Sequence, residues 1–63
     1  MNALTSEYWQ LCAAESRLQA EIYRIAAQRN LMLGDKTGAE EMLQSAKASD
    51  IEAAKYARYT EAA

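Results

Sequence analysis

The chain has 63 residues, room for a single small domain, and carries seven basic and nine acidic side chains for a net charge of −2. Its one cysteine cannot close an internal disulfide, which excludes the oxidised, stapled miniproteins. The slight acid excess argues against a protein that holds nucleic acid by charge. Although 51% of the residues are apolar, 14 of them are alanine, and neither valine nor phenylalanine occurs. Nothing approaches a membrane span or a signal-peptide core. These features predict a soluble, reduced, cytoplasmic protein.

Ala, Leu, Met, Glu, Gln, Lys and Arg make up 41 of the 63 residues. These side chains lose little freedom in a helix. The three isoleucines are too scattered to mark a strand. The expected fold class is therefore all-α, a single domain over residues 1–63. Helix 1 is expected at about 5–33, a turn at about 34–37 and helix 2 at about 38–61. Gly34 is a natural left-handed stop for the first helix. Thr37, with Glu40 three residues on, fits a capping box that starts the second, with Gly38 closing the turn. Ser49 and Glu52 fit another such box, but no Gly or Pro is nearby, so helix 2 is read as continuous.

Helix 1 carries Leu4, Tyr8, Leu11, Leu18, Ile22, Ile25 and Met32 on alternating steps of four and three residues. Glu15 and Arg29 fill the two gaps in this ladder. The pattern is that of a coiled-coil seam with two polar interruptions. Helix 2 offers Leu43 and Ala54 within an alanine-rich face. The hairpin seam is therefore expected to join the helix 1 ladder to Leu43 and Ala54. Trp9, Cys12 and Tyr23 lie about 100 to 160° around helix 1 from the ladder, a second stripe and the candidate partner interface. A two-helix hairpin buries little, so a homodimer forming a four-helix bundle is expected to complete the fold.

Charge placement bears on register. In an antiparallel hairpin turning near residue 36, residue x lies beside roughly 72 − x. That places Arg29 near Glu40 and Glu41, and Glu15 near Arg58, the register-setting charges. Two copies of helix 1 crossing antiparallel at Ile22 would instead pair Glu15 with Arg29 of the other copy. The first arrangement needs one chain only and is preferred.

Catalysis lacks parts. Without histidine the usual neutral-pH base and metal ligand are missing. Cys12 has no visible activator. Glu40 and Glu41 are adjacent on a helix and point apart, so they cannot share a substrate atom. Gly34 and Gly38 lack the Lys-Ser/Thr ending of a phosphate loop. No enzyme, cofactor, metal or small-molecule substrate is expected. The segment Lys55-Tyr56-Ala57-Arg58-Tyr59 interleaves bases with aromatics, which gives weak nucleic-acid binding as an alternative. However, the second half of the chain is net acidic, so nucleic acid is a poor fit and a membrane surface poorer. A protein-interaction role remains.

From Met1-Asn2-Ala3-Leu4-Thr5-Ser6-Glu7-Tyr8-Trp9-Gln10 to the Tyr59-Thr60-Glu61-Ala62-Ala63 end, the chain resembles the 63-residue open-reading-frame product of the exo–xis region of lambdoid bacteriophages. The likeness lies in length, opening segment and helical layout. It implies an early accessory phage protein in the host cytoplasm that influences the choice between lysis and lysogeny, including prophage induction, through a host or phage partner. It transfers no functional residue. The layout is also similar to that of small helical-hairpin chaperones of type III secretion, which work as heterodimers.

Overall fold

The computed structural model describes residues 3–62; Met1, Asn2 and Ala63 of the segments quoted above lie outside the described residues. Two helices, α1 (Ala3–Met32) and α2 (Lys36–Ala62), fold back on one another antiparallel. No strand occurs among the described residues. Helix α2 runs unbroken through Ser49. The all-α hairpin expected from composition is the observed architecture.

The turn is built from two glycines and one aspartate. Gly34 has φ 80°, a left-handed conformation that side chains resist. The Asp35 amide donates to the Asn30 carbonyl at 2.8 Å and the Gly34 amide to the Leu31 carbonyl at 3.1 Å. This is the paired bonding of a Schellman stop, and it satisfies carbonyls that the end of α1 would leave open. Asp35 then caps α2 at once: its Oδ1 accepts from the Gly38 amide at 2.9 Å.

The cap is therefore Asp35, not Thr37, and α2 starts two residues earlier than the expected Gly38. Thr37 sits inside the first turn, so the box with Glu40 does not form. A side chain at Gly38 would run into the Asp35 carboxyl, with Cγ only 2.7 Å from the added carbon. Gly38 thus makes room for the cap.

The two helices form a single layer, with Cα extents of 49 × 13 × 9 Å. With a Cα cylinder about 4.6 Å across, the 13 Å width leaves about 8 Å between the axes, at the close end of the range for packed helices. The buried side chains explain the closeness. They are Ala13, Ser16, Ala20 and Ala27 from α1 and Ala39, Ala46, Ser49 and Ala53 from α2. On each helix the alanines recur every seven residues, the spacing of a coiled-coil seam made of methyl groups. The two stripes have the same spacing, so an antiparallel register with residue x beside 66 − x would match Ala13 to Ala53, Ala20 to Ala46 and Ala27 to Ala39. The contacts of Trp9 with Tyr56 and Tyr59 join residues whose numbers sum to 65 and 68, short of the expected 72. No fully buried side-chain oxygen or nitrogen among the described residues lacks a partner.

The candidate docking face of helix α1

The expected seam is not the seam. Leu4, Tyr8, Leu11, Leu18, Ile22, Ile25 and Met32 are all exposed, from 57% at Leu18 and Ile22 to 88% at Met32. On α2, Leu43 is 49% exposed and Ala54 is exposed as well. At about 100° per residue, the α1 ladder lies roughly 180° around the helix from the buried alanines. The physical reason is matching of size. Helix α2 has no ladder of large side chains to interdigitate with leucines, but it does have a stripe of alanines. Alanine against alanine lets the backbones approach, and the large residues of α1 are left facing outward.

The stripe expected to meet a partner is used inside the hairpin instead. Trp9 stacks on Tyr56 with ring centroids 5.7 Å apart and planes at 18°. It meets Tyr59 edge-on at 5.0 Å and Tyr8 edge-on at 4.9 Å. Tyr56 and Tyr59 contact each other at 6.3 Å, completing a cluster that closes the open end of the hairpin. Offset and edge-on pairs of this kind are favourable arrangements of aromatic quadrupoles. Cys12 and Tyr23 are half-buried. Trp9 is thus engaged with α2 rather than turned wholly outward, while Cys12 and Tyr23 are partly covered. Tyr56 and Tyr59 were not expected as partners of Trp9. The signal for them was their place near 66 − x on the other helix.

The charges also fall elsewhere. Arg24 Nη1 donates to Asp50 Oδ2 at 2.9 Å, the one ion pair among the described residues. Asp50 raises the affinity of the Arg24 guanidinium for its proton through that bond. Both side chains are about half exposed, so the pair adds little to stability. Glu15, Arg29, Glu40 and Arg58 are exposed and form no ion pair among the described residues. Glu15 and Arg29 belong to the outward ladder, where no charge of α2 reaches them.

The phenols are perturbed in one direction. The Cys12 thiol, one turn on, holds Tyr8 above the ordinary phenol range. The charge of Glu52, one turn back, does the same to Tyr56, helped by the packing around its ring. Two open grooves remain near the same end. One, of about 330 Å³, lies between Thr5, Trp9, Tyr59 and Ala62. The other, of about 410 Å³, runs from Gln10 and Arg17 to Thr60 and Glu61.

Among the described residues no group of three or more Cys, Asp or Glu is placed to hold a metal ion. No helix among them is long and apolar enough to cross a membrane. What stands out chemically is the outward face of α1, an apolar strip the length of the molecule crossed by one acid and one base. Comparison with known proteins finds no matching family model, no matching curated protein and no matching solved structure.

Proposed function

We propose that this chain is a non-catalytic protein-interaction module that docks through the outward face of α1. One observation carries the reading: seven large apolar side chains stand exposed in helical register while the hairpin closes on alanine. Single exposed leucines are ordinary, but a continuous strip of them marks an interaction surface. The alternating steps of four and three residues are those by which one helix receives another. The nucleic-acid alternative draws less support, because Tyr56 and Tyr59 pack on Trp9 and are not free to stack on bases. The resemblance to the exo–xis region product supports a setting among early accessory phage proteins that bias lysis and lysogeny through a host or phage partner.

The test is affinity capture with the full chain and a Leu18→Gln/Ile22→Gln variant. Both replaced residues are exposed, so the variant should keep its helical circular dichroism and lose the proteins that the wild type captures. Equal capture by a folded variant would end this reading.

A further inference from the structure

We propose that the occupant of the α1 face is a second copy of this chain, bound antiparallel about a two-fold axis beside Ile22. The proposal rests on the docking reading above and names its partner. Its first support is charge. Glu15 and Arg29 are the two interruptions of the apolar ladder, opposite in sign, each seven residues from Ile22. Both are exposed and unpaired among the described residues. Antiparallel pairing at Ile22 sets Glu15 beside the partner's Arg29, and the two-fold axis repeats the pair at the other end. Parallel pairing would set like charges against each other at both positions. Polar residues at such seam positions are the usual device for fixing orientation and register.

The second support is area. Pairing at Ile22 sets residue x beside 44 − x, so the two α1 helices overlap from about residue 11 to residue 33. Within that overlap the ladder residues Leu11, Leu18, Ile22, Ile25 and Met32 each have on the order of 100 Å² to bury. That gives about 500 Å² per copy, or about 1,000 Å² in total, the size at which specific, weakly held interfaces begin. The ladder and the alanine seam lie on nearly opposite sides of α1, so the four helices of the dimer lie in a row, α2–α1–α1–α2, rather than in a closed square.

Sedimentation equilibrium on the full chain tests this, with helicity recorded in parallel. The wild type should be a dimer. Glu15→Arg and Arg29→Glu should each weaken association by about tenfold, since each turns two attractions into two repulsions. The double exchange Glu15→Arg/Arg29→Glu should recover wild-type association. An equimolar mixture of the two single variants should form a heterodimer tighter than either homodimer. A wild type that stays monomeric up to about millimolar concentration overturns the proposal. So do single variants that associate as well as the wild type, or a double variant no better than the singles. Monomeric wild type combined with capture that depends on Leu18 and Ile22 would remove the second copy yet leave the docking face standing.

Discussion

Trp9 and Tyr56 stack across the open end of the hairpin, and they are the largest side chains joining its two helices. The buried side chains of the seam are all alanine or serine. Burying a methyl group is worth about 0.8 kcal/mol, against about 1.5–3 kcal/mol for a whole leucine or phenylalanine side chain. The aromatic end therefore carries a disproportionate share of the cohesion between α1 and α2.

Trp9→Ala should accordingly destabilise the hairpin by about 2 kcal/mol or more, read as a fall in the urea midpoint of helical circular dichroism. In the wild type the fluorescence of Trp9, the only tryptophan, should be blue-shifted from that of the free amino acid. Tyr56→Ala should move it to the red. Emission already at the water-like wavelength in the folded wild type would contradict the cluster.

The seam makes a contrasting pair of predictions. Ala20 is completely buried between the helices, whereas Ile22 is 57% exposed. Ala20→Leu forces three extra carbons into the closest part of the layer and should cost about 1–3 kcal/mol or more. Ile22→Ala should change the stability of the dilute chain by no more than about 0.5 kcal/mol. Thermal melts at low concentration check both. A larger loss from Ile22→Ala than from Ala20→Leu would restore the leucine ladder as the seam.

Composition and the absence of proline are enough to read two helices, and Gly34 is enough to read where the first one ends. Periodicity alone does not say which of two stripes on α1 turns inward. The ladder through Leu18 and Ile22 has the greater hydrophobicity, and the stripe through Ala13, Ala20 and Ala27 has the better complement on α2. Only the heptad match to Ala39, Ala46 and Ala53 decides between them, and that match involves both helices at once. The exposed ladder was legible as an apolar feature of the sequence, but not as a surface. The cap was missed for a local reason. Thr37 and Glu40 have the spacing of a box, yet Asp35 stands two residues earlier with a glycine three positions on to receive it.

That cap gives the third prediction. Asp35→Ala removes the acceptor for the Gly38 amide and should cost about 1 kcal/mol. Gly34→Ala places a side chain at φ 80° and should cost a similar amount, roughly 1–2 kcal/mol. Gly38→Ala should be worse than helix propensity implies, since alanine is ordinarily the better helix former. Its methyl group would displace the Asp35 carboxyl. Chemical denaturation of the three variants checks the order. A stabilising Gly38→Ala would show that the cap is dispensable.

The last prediction concerns alkaline pH. Tyr56 holds its proton above the ordinary value of 10.0, chiefly because its phenolate would face the charge of Glu52, and secondly because its ring packs in the cluster. Cys12 and Tyr8 add to the rise, and Lys55 opposes it. A group that binds its proton more tightly folded than unfolded contributes stability that is complete below the unfolded value. That contribution is lost as the pH climbs through the raised one. The hairpin should therefore keep its helicity up to about pH 10 and lose stability above it, as a phenolate forms against Trp9. Phenolate absorbance followed alongside circular dichroism from about pH 8 to about pH 12 shows whether the two changes coincide. Tyr56→Phe should abolish the part of the late titration that tracks the loss of helix. Glu52→Gln should bring the Tyr56 ionisation back toward its ordinary value, because the neutral amide no longer repels the phenolate. If Glu52→Gln leaves the titration unchanged, the charge of Glu52 is not what holds the proton on Tyr56.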